Sequence, residues 1–260
     1  MFFLAIIESA SEKRLLKTPL AAGGTLFPPM QLQVPLLSYI AIKHWTHLLF
    51  ANFIRGTHCQ IRQLDVESKN RNARFRKIRS CLSKRRGAVH IEKDCQIDPT
   101  ATIIGPNTIG NGVIIGLNVT ISAGCIGDHA LLEPNSLIWL GVLGARSSLL
   151  ANRNIVMSCV MNDSIINADV RFSIVGNHSF LGGGSHITDV ILRNANEGGE
   201  PKMNSPMVKV FAGDKLVNSG YYVLGPAIGN RVKIGSGAIV YPGRVIKSDS
   251  VILPDQGYQV

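Results

Sequence analysis

His178 and His186 stand on either side of three successive glycines, Gly182, Gly183 and Gly184, with Ser185 and Asp189 close behind. A neutral imidazole can take a proton from an attacking amine or hydroxyl near neutral pH, so both histidines are candidate general bases. Glycines lack a Cβ and let a ligand approach the backbone, which makes Gly182, Gly183, Gly184, Ser185 and Asp189 candidate binding positions. Lys202, Lys209, Lys215 and Lys233 follow in the chain, where an ammonium could meet ligand phosphates; Lys233 is assigned to the binding set. The competing reading makes the histidines solvated turn residues and the lysines ordinary surface cations. His129, next to Asp128, is a third histidine of this kind. Asp163, Asp169 and Asp189 are spaced for turns rather than for ligation, and no His/Asp cluster suggests a cation, so no metal site is expected. Five cysteines (Cys59, Cys81, Cys95, Cys125 and Cys159) are scattered without a C-x-x-C pair. That pattern speaks against a zinc site or a disulfide framework and fits a reducing cytoplasm.

A repeat must position these residues. Ile91, Ile97, Ile103, Ile109, Ile115 and Ile121 recur every six residues without a miss. After a slip, a second run reads Leu131, Leu137, Leu143, Leu149, Ile155 and Met161, and a third reads Ile228, Ile234, Val240, Ile246 and Ile252. Two residues before the first rungs sit Val89, Cys95, Ala101, Asn107, Val113 and Val119, mostly small or branched. A period of six fits neither a 3.6-residue helix nor a plain two-residue strand. It fits a coil whose sides are short strands ending in tight turns, one aliphatic side chain per side pointing inward. Gly, Asn and Asp then take the turn positions that need unusual backbone angles. A narrow aliphatic interior also accounts for a composition with 26 glycines but only 6% aromatics, and places Cys95 and Cys125 at small inward positions.

Segments such as Ile109-Gly-Asn-Gly-Val-Ile, Ile115-Gly-Leu-Asn-Val-Thr and Ile234-Gly-Ser-Gly-Ala-Ile resemble the repeat of the hexapeptide transferases. That resemblance spans about Val89 to Pro254 and implies an all-β fold, a left-handed parallel β-helix with three sides per coil. Ile174 to Ser185, Val208-Lys-Val, Gly213 to Gly220, Leu224 to Gly229 and Tyr241-Pro-Gly-Arg244 are similar to one group within it. The group is the C-terminal β-helix of sugar-1-phosphate nucleotidyltransferases, including those with a glucosamine-1-phosphate acetyltransferase activity. The resemblance implies an acyl-CoA-dependent acyltransferase acting on a sugar phosphate or nucleotide-sugar, with acetyl-CoA or another acyl-CoA as co-substrate. It also implies a homotrimer with clefts between subunits. In that family a histidine supplies the base, yet the matching coil reads Ile166-Asn-Ala-Asp-Val-Arg-Phe172, and no histidine occurs from Ala130 to Asn177. Asp189 stands where relatives carry an asparagine that lines the acyl-CoA cleft. The alternative function is therefore a non-catalytic β-helix that oligomerises or scaffolds beside a separate nucleotidyltransferase. Nucleotidyl transfer by this chain is not expected, because 260 residues cannot hold both domains and Ala21-Ala-Gly-Gly-Thr25 is only a faint echo of a nucleotide loop.

The expected organisation is an N-terminal, mainly helical and basic segment over residues 1–88, then the β-helix over 89–254. The repeat fails between Leu192 and Pro226, where a polar loop and a hairpin at about 193–222 should project from the coil. Val34 to Ile54 carries Lys43, His44 and His47 in its middle, which favours an amphipathic helix packed on the β-helix over a bilayer span. Met1 to Ile7 lacks a basic start and meets Glu8, so no signal peptide is expected.

The net charge of +10 is almost wholly local. Lys69, Arg71, Arg74, Arg76, Lys77, Arg79, Lys84, Arg85 and Arg86 lie between Ser68 and Gly87 without an acidic residue. Phe75, Ile78, Cys81 and Leu82 trace a narrow apolar stripe along this run, as on a helix that packs on the first coil. An anionic membrane surface or an acidic partner could also bind residues 69–86, giving a cytoplasmic protein that can sit peripherally on a membrane. Nucleic acid is not expected, since no aromatic stacking platform accompanies the charge.

Overall fold

In the computed structural model, the described residues are 6–8, 11–16, 30–35, 38–40, 44–51, 89–191 and 206–254. From Val89 onward the chain winds as a parallel β-helix with three sides. Side A has eight strands, from Val89–Ile91 and Asn107–Ile109 through Cys159–Val160 and Ile174–Val175 to Val245–Ile246. Side B has eight, from Gln96–Ile97 and Ile114–Ile115 through Ile165–Ile166 and Phe180–Leu181 to Val251–Ile252. Side C begins with five: Thr102–Ile104, Thr120–Ser122, Leu137–Trp139, Asn154–Val156 and Val170–Arg171. A separate pair, His186–Ile187 with Ile239–Val240, continues it.

Each side is only two or three residues long because the corners are tight. At the corner from A to B the chain turns through φ near +55° at His129, Arg146, His178 and Arg231; from B to C it turns through φ of +55° to +71° at Asn118, Asn135, Asn152 and Gly184. Just ahead of the A–B turn residues runs a ladder of side-chain acceptors. Asp128 Oδ1 accepts from Asn111 N, Asn162 Oδ1 from Ala145 N, Asn177 Oδ1 from Asn162 N and Asn230 Oδ1 from Asn177 N. Turn amides that no strand can pair are satisfied in this way.

Glycine after a rung has a further cause. A Cβ on Gly127 would lie 2.4 Å from Ala145 N and 2.8 Å from Ala145 Cα, both fixed backbone of the next coil. Gly127→Ala is therefore expected to destabilise the β-helix by about 1–3 kcal/mol, the usual cost of overpacking. A denaturant melt with an unshifted midpoint would contradict this coil-to-coil contact.

The interior is the expected aliphatic column, with one correction. Ile103, Ile109, Ile115 and Ile121 are fully buried, and Ile91 and Ile97 pack against them at the open first coil. The third run also points inward. In the second run only Leu143, Leu149 and Ile155 are core; Leu131, Leu137 and Met161 are not, and Leu132, Ile138 and Val160 hold those rungs. The turn from C to A is one residue shorter in these coils, so the inward positions step by five there and a strict six-residue count drifts outward. Ile109, Ile126, Leu143 and Val160 stack in register on side A at 17-residue intervals. The same drift overturns the inward placement of Cys125, which neighbours Ile126 on its strand and is half-exposed; Cys95 does pack against the core.

The N-terminal part is not mainly helical over its described residues. Ile6–Glu8 pairs antiparallel with Ser38–Ile40, and Ser11–Leu16 with Met30–Pro35. Met30, Leu32 and Val34 alternate with Gln31 and Gln33, the two-residue period of a strand. Of the helix expected within Val34 to Ile54, the described residues show strand at 34–35 and 38–40 and helix at 45–51. It does pack on the β-helix: Trp45, Leu48 and Leu49 join Val208, Val210 and Leu224 against the outward side chains Val142, Cys159 and Ile174 of side A. His44 ties this helix to the insertion, its Nε2 lying 3.0 Å from the Phe211 carbonyl. The expected hairpin is present as Lys209–Ala212 with Lys215–Asn218. The basic run 69–86 and residues 192–205 of the loop lie outside the described residues. Among the described residues no helix is long and apolar enough to cross a membrane.

Candidate functional site

Side C breaks at one place. The five-stranded sheet ends at Val170–Arg171, and the next strand, His186–Ile187, bonds onward to Ile239–Val240 but not back. The step from Ile166 to Val170, both fully buried rungs, is four residues instead of six. The shortened corner cannot place a carbonyl opposite Asn154 N. Leu137 N, one coil earlier, donates to the Arg153 carbonyl at 3.0 Å, whereas Asn154 N donates to the Asp169 carboxylate at 2.9 Å. Asn154 Nδ2 donates to the same oxygen at 3.1 Å. A side chain thus closes the ladder where the backbone has become too short.

A cleft of about 380 Å³ opens at this break. Arg153, Asp169 and Arg171 line one wall, and Gly184 to Val190 the other. Its volume lies within the range of small-molecule sites. Chemically it combines two guanidinium groups, an imidazole and two carboxylates. Arg153 is oriented by Asn167, whose Oδ1 accepts from Nε at 3.0 Å. Asp169 is committed to Asn154. Asp189 is half-buried, and burial pushes its carboxyl above the ordinary aspartate range, with its own backbone and the Arg171 charge acting in opposition. Its carbonyl accepts from Leu224 N at 2.8 Å, fixing the strand-like wall.

The raised pKa has a stability consequence. The folded chain holds the Asp189 proton more tightly than the unfolded chain, so ionisation above the ordinary aspartate range weakens folding. That penalty is complete above the raised value and absent where both states are protonated. Asp189→Asn is accordingly expected to raise the melting temperature at pH 7, with the gain shrinking as pH falls toward about 4. Melting scans across that interval test it; a gain that stays constant with pH would contradict the assignment.

Among the expected site residues, Gly184, Ser185, His186 and Asp189 line the cleft. His186 is exposed at the start of its strand, and its amide is held by the Ala238 carbonyl at 2.8 Å. Ser185 is buried, and its hydroxyl donates to the Gly182 carbonyl at 2.7 Å, pinning the turn. Gly182 is demanded by the coil below, since its Cβ would meet Ser236 N at 2.7 Å; Gly183 faces the Asn167 amide. Gly184 is the one whose turn conformation, φ +71°, opens onto the cleft.

His178 is not brought to His186. It lies at the A–B corner, with Nε2 3.9 Å from Asp163 Oδ2. Asp163 is gripped by Arg146 through two bonds of 2.6 and 2.7 Å, which hold its carboxyl below the usual range. Lys233 is exposed on side B between Phe180 and Val251, outside the cleft lining, and Lys209 and Lys215 are exposed on the hairpin. His129 occupies the same exposed corner column as Arg146, and Lys202 lies outside the described residues. Among the described residues no group of three or more His, Cys, Asp or Glu could hold a metal ion.

Arg153, Arg171, Ile187, Thr188 and Val190 line the cleft without being expected from the sequence, whose spacing places Asp169 in a turn alone. The signal is the four-residue interval from Ile166 to Val170, which a strict six-residue count conceals.

No family model matches the chain. Among curated proteins, the Bifunctional protein GlmU of Marinobacter nauticus is 32% identical over 117 residues, 44% of this chain. The match spans 26% of that relative, so the chain corresponds to about a quarter of its length. A solved hexapeptide transferase family protein from Anaplasma phagocytophilum aligns over 64% of this chain and 75% of its own, at 12% identity and a TM-score of 0.31. Its own six-residue repeat and three-sided coil give the chain the fold of the hexapeptide-repeat β-helix proteins.

Proposed function

We propose that this chain is an acyl-CoA-dependent acyltransferase whose acceptor, a sugar phosphate or nucleotide-sugar, enters the side C cleft. The observation that carries the reading is the juxtaposition at the sheet break of His186 and Asp189 with Arg153 and Arg171. Attack of an acceptor amine or hydroxyl on a thioester releases a proton at the nucleophile and a thiol as leaving group. His186 takes the proton at a ring nitrogen and Asp189 offsets the imidazolium charge that results. Arg153 and Arg171 bind the acceptor's phosphate by charge-assisted hydrogen bonds. Gly184 lets the acceptor reach the backbone. The similarity to a bifunctional GlmU and the resemblance to the β-helix of sugar-1-phosphate nucleotidyltransferases support this class of chemistry. A thiol-release assay with acetyl-CoA and a panel of amino-sugar phosphates and nucleotide-sugars tests it. Turnover with at least one acceptor is expected, and none across the panel would remove the reading.

The second reading, a scaffold beside a separate nucleotidyltransferase, draws on the absence of a histidine from the shortened coil. Both readings include a homotrimer. Ile114, Ile165, Phe180 and Val251 project outward along side B, and Ile165 and Phe180, on adjacent coils, remain 44% and 42% exposed. An apolar row of this kind needs covering. Phe180→Glu is expected to convert trimer to monomer in light scattering coupled to gel filtration. An unchanged trimer mass would move the interface elsewhere, and a monomeric parent chain would remove it.

A further inference from the structure

The hairpin of the insertion has an outer face that takes no part in the cleft. Lys209–Ala212 and Lys215–Asn218 pair so that Val210 and Val217 share one face and Phe211 and Leu216 the other. Val210 is buried and Val217 packs beside it over side A. Phe211 and Leu216 are thereby turned outward as a cross-strand pair, 45% and 46% exposed. Lys209 lies on the same outward face, and Lys215 follows the Gly213–Asp214 turn; both are exposed. A Cβ on Gly213 would meet nothing within 4 Å, so the tip stands clear of the body. At its base the hairpin crosses the last corner from C to A in contact, since a Cβ on Gly243 would lie 2.5 Å from the Lys209 carbonyl oxygen. Arg244 follows and is exposed. Val245 then stands in register above Ala227 on side A; Ala227 is covered, whereas Val245 is 48% exposed. Among the described residues of the hairpin and this corner, the cations Lys209, Lys215 and Arg244 face one carboxylate, Asp214. Asp249, further along the last coil, is taken by Arg231 at 2.8 Å.

We propose that this face docks on an anionic lipid surface, with Phe211 and Leu216 entering the headgroup boundary and Lys209, Lys215 and Arg244 meeting lipid phosphates. The charge balance selects an anionic partner. The shape selects a deformable one: a projecting tip with an apolar pair among cations is convex, and offers no groove for a protein segment. Lipid satisfies both parts at once, because the rings and branches enter the acyl boundary while the long cationic side chains reach back to the phosphates. The patch lies over side A and not on side B, where the apolar row of the proposed trimer runs. It rests neither on acyl transfer nor on occupancy of the cleft.

Flotation of the full chain with vesicles of phosphatidylcholine alone, and of phosphatidylcholine mixed with phosphatidylserine, tests the proposal. Binding is expected to the mixed vesicles and should weaken as salt rises. Phe211→Ser combined with Leu216→Ser should lower the partition coefficient about tenfold or more, through lost apolar burial. Lys209→Gln combined with Arg244→Gln should lower it about tenfold or more at low salt and little at high salt. Residues 69–86 stay unchanged throughout, so any contribution they make is common to every variant. F211W should give tryptophan emission, beyond that of the parent, that shifts to the blue with mixed vesicles only. His44 holds the Phe211 carbonyl and not its ring, so these changes leave that bond in place, and thermal melts matching the parent confirm folding. No binding by the parent to mixed vesicles overturns the proposal. Binding indifferent to the hairpin changes also overturns it, and assigns the lipid contact to residues 69–86. Binding to polyglutamate but not to vesicles assigns the face to an acidic protein. A multimer mass that falls in the Phe211→Ser and Leu216→Ser variant assigns it to a second copy. Either result equally overturns the lipid reading. Thiol release without vesicles should stay within about twofold of the parent in every variant, so the lipid result and the transfer result are read separately.

Discussion

His186→Ala is expected to reduce acyl transfer by about 100-fold or more, within the range that a positioned general base contributes. The loss should fall mainly on kcat, because in the proposed transfer His186 acts on the proton released at attack, while Arg153 and Arg171 hold the acceptor. The imidazole stands at the lip of the cleft on a strand whose amide is fixed by Ala238, so removing it leaves the wall in place. His178→Ala supplies the contrast. Its ring belongs to the Arg146–Asp163 corner and not to the cleft lining, and turnover should remain within about twofold of the parent. Equal losses in both variants would return His178 to the catalytic set. Undiminished thiol release in His186→Ala would remove its role as base and, in a parent chain that turns over, point to Asp189, whose burial already raises its proton affinity. A parent chain with no thiol release against any acceptor would instead favour the scaffold.

Ile109→Asp carries the largest expected effect on folding. Ile109 is wholly buried, stacked on side A between Ile91 and Ile126. The substitution removes a burial contribution of about 1.5–3 kcal/mol. It also places a carboxylate in an aliphatic column, at a further cost of several kcal/mol, roughly, with no partner to offset it. Together these approach the whole of an ordinary domain's net stability, about 5–15 kcal/mol. The expected result is insoluble protein, or soluble material lacking a cooperative β-sheet melt by circular dichroism. A variant that melts like the parent would show that this rung does not face the interior. Ile114→Asp makes the matched control, since Ile114 projects outward on side B and is 43% exposed. It should fold, and any change should appear in assembly rather than in the fold of the single chain.

These two experiments separate what was legible from what was not. Ile109 could be placed in the core from spacing alone, because stacked coils put like residues above like and the interior admits one aliphatic residue per side. The same six-residue count misplaces Leu131, Leu137 and Met161. A corner shorter by one residue preserves the coil while breaking the count, and only hydrogen-bond register reveals which residue faces inward. Met30–Pro35 is a strand whose two-residue alternation is legible in the chain, but it runs into the longer apolar stretch from Val34, which masks it.

The glycine triplet divides in the same manner. Sequence marked Gly182, Gly183 and Gly184 as one ligand-approach feature, whereas the fold gives each a separate cause. Gly182 accommodates the next coil's backbone, Gly183 faces Asn167, and Gly184 opens to the cleft. His178 and His186, eight residues apart in the chain, are separated by the whole of one side of the prism, because a turn and a two-residue strand intervene.

The sequence by itself determined the architecture: a parallel β-helix with aliphatic rungs, acidic and amide turn residues, a hairpin insertion, and charge confined to one segment. Those properties are local and periodic, so each repeat states them independently. The tertiary structure alone decided where a site could form. Two residues missing between Ile166 and Val170 change no side chain's character. Yet they end one sheet, commit Asp169 to the ladder, and leave Arg153 and Arg171 facing His186 and Asp189 across the gap. That arrangement depends on which strands fail to pair, a relation between coils that no single repeat contains.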